Sequence, residues 1–291
     1  MNRCAKANTL SGRAGVTGAI TLAGMFLAIG LLPMTVCLAS FEIDPVSPAE
    51  RGAATRLALG RVEGTHSVLY GDDWGSAGSG SVRCYGFKPF GMSEIDFGAI
   101  WVSVQLGDET HQLSTSYQRL KVLSYVEETF LISHGFRLGR LRCLPVVRLG
   151  TVKFDGEQMD MVWLCDLGLA TDVRDNMTIS VGLKNPLALG LSESGDMFPT
   201  SITLGLGFPV AGCLGWGIEV QKESGHQTCI ATGVEWSFAG GLVLRTGLRT
   251  YPQEFCLGVG LRLGHGMVDV AASVVPDLGA THEFGGAWTW D

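Results

Sequence analysis

The chain has 291 residues, a formal net charge of −7 and 46% hydrophobic residues. Proteins that bind nucleic acid present a basic surface to the phosphates, so this acidic balance argues against nucleic acid as a partner. Glycine contributes 41 residues, about twice its usual share, but without the three-residue period that collagen requires.

The first 39 residues have the organisation of a secretory signal peptide. Arg3, Lys6 and Arg13 precede a long apolar run, and small residues follow it where a signal peptidase could cut. The run is long enough to be a retained membrane anchor, but Pro33 lies inside it. We therefore expect residues 1–39 to be removed on export, which would change the net charge from −7 to −10.

Residues 40–79 follow the expected cleavage site and precede the first clear strand. The segment begins rich in proline, and its hydrophobic periodicity is weak. We predict a short N-terminal periplasmic segment that plugs or lines the mouth of a barrel.

Residues 80–291 repeat short alternating segments separated by turns. Between residues 254 and 263, apolar residues occupy every odd position, and glycine, cysteine or charged residues occupy every even position. Strict alternation predicts β-strands, and turns as short as Ala239-Gly240 predict antiparallel hairpins. The predicted strands, about 14 in number (12–14), span residues 80–88, 97–106, 112–119, 124–137, 140–153, 160–170, 176–185, 199–209, 213–222, 228–238, 241–250, 254–263, 266–275 and 281–290.

The apolar face of these strands has no second layer in the sequence to cover it. A soluble β-sandwich would need such a layer, whereas a barrel in a bilayer turns its apolar face to lipid and a small polar face to the lumen. Tilted strands of about ten residues match the thickness of a bilayer. The pattern therefore predicts an all-β fold, an antiparallel transmembrane β-barrel with tryptophans near the interfaces.

Several short motifs occur in the order found in one group of membrane proteins. Gly52–Gly60, Val181–Asn185, Phe198–Gly205 and Leu278–His282 resemble segments of the PorV-like and FadL-like outer-membrane proteins. The resemblance implies the outer membrane of a diderm bacterium. It also implies passive uptake of hydrophobic ligands such as long-chain fatty acids. The segment Tyr70–Gly78 departs from the family, since it lacks the Asn-Pro found there.

The last predicted strand resembles the signal that the barrel-assembly machinery reads. Gly285, Trp288 and Trp290 follow that pattern, whereas Asp291 stands where an aromatic residue is usual. The resemblance adds the barrel-assembly machinery and outer-membrane lipid to the expected partners.

The inward face of the predicted barrel carries ionisable side chains of both signs. They either shape what passes through the lumen or form a salt-bridge network that makes the barrel rigid, because charges away from water must be paired. The lumen-facing candidates are Lys184, Glu219, Glu235, Arg245, Arg249, Glu254, Arg262, Asp269 and Glu283.

The sequence offers no catalytic, metal or cofactor motif. The six histidines are scattered, no Gly-x-Ser-x-Gly occurs, and the glycine-rich pieces lie inside strands rather than before a helix. Six cysteines follow the signal peptide, mostly within predicted strands, so we expect mostly free, buried thiols that act as small apolar fillers.

These observations leave four hypotheses about function. The first is a FadL-like channel in the bacterial outer membrane that takes up hydrophobic small molecules. The second is a PorV-like barrel that docks secreted proteins or a secretion channel. A soluble β-sandwich binding module and an outer-membrane enzyme are the others, and no nucleophile–base pair supports the enzyme.

Overall fold

The structure, a computed structural model, describes seven segments of the chain. They are residues 80–106, 111–154, 160–174, 177–186, 199–211, 213–276 and 278–290. The predicted signal peptide (1–39), the predicted N-terminal segment (40–79) and the motif Gly52–Gly60 lie outside the described residues.

Fourteen β-strands make up the described structure. They are β1 Gly80–Lys88, β2 Ile95–Leu106, β3 His111–Val122, β4 Tyr125–Leu138, β5 Leu141–Lys153, β6 Asp160–Arg174, β7 Met177–Lys184, β8 Ser201–Ala211, β9 Leu214–Glu223, β10 Cys229–Ser237, β11 Leu242–Thr250, β12 Gln253–Leu263, β13 Gly266–Val275 and β14 Gly279–Trp290. A single 3-10 turn, Pro89–Gly91, follows β1. Among the described residues, no helix is long and apolar enough to cross a membrane.

Each strand pairs antiparallel with the next in sequence, and β14 pairs with β1 to close a barrel. The closing register places Gly80 opposite Trp290 and Lys88 opposite His282. The prediction of an antiparallel barrel with about fourteen strands is therefore confirmed. The β-sandwich hypothesis is wrong, because closure joins the two edges of one sheet, and all the strands of the described residues belong to that sheet.

Burial alternates along the strands and identifies the two faces of the wall. On β12, Cys256 is 1% exposed whereas Leu257 is 51% exposed. In a closed barrel the buried face points into the lumen, so the exposed leucines, valines and isoleucines point outward. Such an apolar exterior is what a bilayer requires, since lipid cannot solvate polar side chains.

The two ends of the barrel differ in their connections. We call the end with Gly80 and Trp290 the terminal rim, and the end with Lys88 and Gly279 the loop rim. The strand ends on either side of residues 154–159 and 185–200 lie at the loop rim, whereas turns as short as 139–140 lie at the terminal rim. Outer-membrane barrels carry their longer loops outside the cell and their short turns in the periplasm.

An aromatic band surrounds part of the outer face near the terminal rim. Phe208 stacks on Trp216 with ring centroids 5.3 Å apart, and Trp236 stacks on Phe238 at 4.6 Å. Trp288 faces outward in the same zone. Tryptophans at this level of a barrel are typical of a membrane interface, which is where the sequence predicts them.

Candidate functional site in the barrel lumen

The inner face of β1 to β5 forms a continuous apolar surface, which we call the apolar wall. Its side chains are buried and pack against one another. They are Tyr85, Phe87, Phe97, Trp101, Leu120, Leu131, Leu144 and Val146.

Aromatic rings dominate the part of the apolar wall that lies nearer the loop rim. The ring centroid of Phe97 lies 4.6 Å from that of Phe87 and 6.1 Å from that of Tyr85. Deeper in the barrel, Trp101 is 2% exposed and Leu131 is 1% exposed. The wall thus runs from the rim into the body of the barrel as one packed surface.

Three half-buried side chains extend the apolar wall to the loop rim. They are Ile95, Val122 and Tyr125. The expectation of a small, polar lumen is therefore wrong for this sector. Both faces of β2 are largely apolar, as neighbours such as Ile100 (outward) and Trp101 (inward) illustrate. The alternation of apolar and polar residues therefore could not identify which face of β2 points into the lumen.

The opposite side of the lumen carries an ion triad. The Arg245 Nε donates to Glu235 Oε2 at 2.7 Å, and its Nη1 donates to Asp269 Oδ1 at 2.6 Å. The Arg245 and Glu235 side chains are fully buried. Burying charges is costly, so this close pairing holds the three predicted residues as one unit.

Two glycines make the triad possible. Arg245 is on β11 and Asp269 is on β13, so the guanidinium must cross the inner face of β12. Gly258 lies opposite Arg245, and Gly260 lies opposite Asp269. Because neither glycine has a side chain, the arginine reaches its second carboxylate over bare backbone.

Replacing Gly260 with valine should disrupt this crossing. A Cβ at Gly260 would lie 2.5 Å from Asp269 Oδ1 and 3.0 Å from Arg245 Nη1, so the triad must shift. We expect a loss of about 1–3 kcal/mol in the free energy of unfolding, typical of overpacking, measured by urea titration of the refolded barrel. The matched control is Gly98→Val on the outer face, where an added Cβ meets no atom within 4 Å. Equal losses in the two variants would contradict this account.

A second ion pair in the lumen was not predicted from the sequence. The Arg148 Nε lies 2.8 Å from Asp166 Oδ2, and the Nη2 donates to Asp166 Oδ1 at 3.0 Å. The backbone N–H of Asn185 donates to the same carboxylate at 2.9 Å. The predicted Lys184 is buried and lies opposite Asp166 in the strand register. The alternation of inward and outward residues around Arg148 was sufficient to predict the Arg148–Asp166 pair, because a single charge in an apolar strand must point into the lumen.

The remaining predicted lumen residues also lie on the inner face. Glu219 and Glu283 are buried, whereas Arg249 and Glu254 are half-buried and lie opposite each other in the register of β11 and β12 near the loop rim. Arg249 donates to Gln221 Oε1 at 3.0 Å. Arg262 is exposed near the terminal rim, and its charge acts on Glu235 of the triad. The structure thus brings Glu235, Arg245 and Asp269 together. The other predicted lumen residues lie elsewhere on the inner face of the barrel.

Within the described segments, no group of three or more histidine, cysteine or acidic side chains could hold a metal. None of the six cysteines there forms a disulfide, and Cys84 and Cys213 are exposed rather than buried as predicted. Cys84 points outward because it shares its face with Val82 and Lys88.

The predicted assembly signal occupies both faces of β14. Gly285 points inward opposite Asp269, and Trp288 is exposed on the outer face. Trp290 lies opposite Gly80, where a Cβ on the glycine would collide with the indole ring. The final tryptophan therefore packs over the seam that closes the barrel.

Comparison with known proteins places the fold among outer-membrane channels. No family model matches the sequence, and no curated protein matches it. A mutant of TodX, described as a monoaromatic hydrocarbon channel, superposes with a TM-score of 0.61 at 10% identity, covering 85% of this chain and 98% of that chain.

Two further solved structures are similar. The toluene transporter TodX of Pseudomonas putida gives a TM-score of 0.58 at 9% identity, covering 88% of this chain and 98% of that chain. The outer-membrane protein Omp33 of Acinetobacter baumannii gives 0.51 at 7% identity, covering 73% and 98%. At these identities the likeness concerns the fold, and this chain has the fold of outer-membrane β-barrel channels.

Proposed function

We propose that this protein is a bacterial outer-membrane channel for passive uptake of hydrophobic small molecules, with long-chain fatty acids as the ligand class. The apolar wall is the observation that carries the proposal. A barrel that only admits water and ions has no need of a buried aromatic surface running inward from its mouth. An apolar solute gains roughly 25 cal/mol for each Å² that such a surface removes from water.

The burial of the wall bears on how a ligand would move. The side chains of Trp101 and Leu131 are almost inaccessible, so the wall is not the lining of an open, water-filled pore. A hydrophobic ligand would displace packed side chains and replace their contacts with its own. Such a passage favours apolar molecules over ions.

Cationic groups border the apolar wall; each already has a partner in this structure, so the acidic head of a ligand would compete with that partner. Arg83 lies opposite Trp101 in the register, and Arg148 lies opposite Leu131. Both arginines are buried on the inner face. An arginine suits a carboxylate because its donors match the two oxygens.

The proposal includes the route to the membrane. Residues 1–39 would direct export and be cleaved, and the barrel-assembly machinery would read the strand that holds Gly285, Trp288 and Trp290. The outer face, with apolar strands and an aromatic band, supports insertion into a bilayer. The FadL-like and PorV-like resemblance stays a prediction, and so does docking of secreted proteins.

A photoreactive fatty acid tests the proposal. The refolded barrel is reconstituted in lipid nanodiscs, labelled with a diazirine-bearing palmitate, and the modified residues are mapped by mass spectrometry. We expect labels on inward positions such as Phe97, Leu120 and Leu131. A diazirine-bearing phospholipid serves as control and should label outward positions such as Ile100 and Ile132. The proposal fails if the fatty acid labels only the outward set.

A further inference from the structure

The outward charges of β1 to β5 are confined to one end of the barrel. Within these described strands, every outward aspartate, glutamate, lysine and arginine lies toward the loop rim. We call this set the charged belt. It comprises Lys88, Asp96, Arg119, Lys121, Glu128 and Lys153.

Strand register makes the charged belt continuous across five strands. Asp96 lies opposite Lys121, and Arg119 lies opposite Glu128. Lys88 Nζ is 3.3 Å from Asp96, and Lys153 Nζ donates to Glu128 at 3.1 Å. Neighbouring groups therefore lie close enough to act on one ligand.

The charged belt is basic although the chain is acidic. Four cations face two carboxylates, whereas the chain carries a net charge of −7. Both carboxylates already have lysine partners, and Tyr117 also donates to Glu128 at 2.5 Å. Arg119 and Lys121 form no ion pair within the part of the chain that the structure describes. Arg119 is exposed and lies opposite Gly98. An added Cβ at Gly98 would meet nothing within 4 Å, so there is open space beside Arg119 on the outer face.

Membrane physics limits where these charges can lie. Charged side chains in the hydrocarbon layer are costly, so an outward belt belongs at the level of the head groups. Cationic groups at that level attract anionic lipids. Arginine also forms paired hydrogen bonds with phosphate oxygens.

We propose that the charged belt binds the phosphorylated head group of an outer-leaflet glycolipid, with Arg119 and Lys121 as the main phosphate contacts. The apolar surface below the belt argues for a lipid rather than free phosphate. Ile100, Phe130 and Ile132 are exposed there on the same outer face. A lipid supplies phosphates for the belt and acyl chains for this surface at the same time. The inference goes beyond the proposed channel and shares with it only the membrane placement.

Lipid retention by charge variants tests the inference. The full-length protein and its Arg119→Gln/Lys121→Gln variant are purified in mild detergent, incubated with diphosphorylated lipid A, and analysed by native mass spectrometry. We expect the variant to bind lipid A roughly 30-fold more weakly, from the usual contribution of two basic residues at an anionic surface. The swapped variant Arg119→Lys/Lys121→Arg should bind within about threefold of the wild type, because it keeps two cations and one guanidinium in the charged belt.

Matched controls make each outcome decisive. Arg140 and Lys222 are exposed cations outside the charged belt, so Arg140→Gln/Lys222→Gln should leave the binding of lipid A unchanged. Equal binding by wild type and the belt variant overturns the inference. Displacement of lipid A by millimolar inorganic phosphate also overturns it, because the site would then take free phosphate. Fatty-acid labelling of the same preparations reports on the channel separately, so either proposal can fail without the other.

Discussion

Removing two aromatic rings from the apolar wall should reduce fatty-acid uptake at least about tenfold, since burying each such ring is worth about 1.5–3 kcal/mol. The variant is Phe97→Ala/Trp101→Ala, and both side chains point into the lumen from β2. A ligand that moves along the wall would lose its largest apolar contacts in this variant. The measurement is the initial rate of radiolabelled oleate uptake by host cells that express the barrel in their outer membrane.

The matched control lies on the same strand. Ile100 and Val104 point outward and are 45% and 39% exposed. The variant Ile100→Ala/Val104→Ala removes apolar side chains from β2 without touching the lumen, so uptake should change less than about twofold, as expected for sites that make no ligand contact. Folding of both variants is checked by the shift in gel mobility between unboiled and boiled samples. If both variants take up oleate at the wild-type rate, the apolar wall is not the path.

Replacing Arg245 with methionine should cost about 3–5 kcal/mol in the free energy of unfolding, because removing one member of a buried ion group leaves its partners uncompensated. Glu235 and Asp269 would each lose a hydrogen bond shorter than 2.8 Å to the guanidinium. The measurement is the urea midpoint of unfolding in lipid vesicles, converted with the slope of the transition.

A control and a compensating variant separate the triad from a general effect of losing a cation. Arg249 lies on the same strand, is half-buried, and donates to Gln221 and Cys229 rather than to a carboxylate. Arg249→Met should therefore cost no more than about 1.5 kcal/mol, the value of an ordinary hydrogen bond. Adding Glu235→Gln and Asp269→Asn to Arg245→Met should recover part of the stability. A midpoint for Arg245→Met equal to that of wild type would show that the triad contributes nothing.

The strands of this barrel could be predicted closely, and the inner surface only in part. On β12, alternation between Cys256 and Leu257 identifies both the strand and its lipid face. On β2, Phe97 and Ile100 are both apolar although one points inward and the other outward. On β2, an alternation with a period of two is therefore compatible with either face pointing inward. The apolar wall was missed for this reason, whereas alternation around Arg148 was sufficient to predict the Arg148–Asp166 pair.

By itself, the sequence determined the strand order, the strand bounds within a few residues, and an apolar exterior for the later strands. These follow from local rules, because side chains alternate along a strand and short turns force antiparallel neighbours. Only the tertiary structure decided which inward groups meet. Arg245 reaches Asp269 across Gly260 because closure of the sheet fixes the register of three strands at once. Contacts between strands depend on that register, and no pattern within a single strand encodes it.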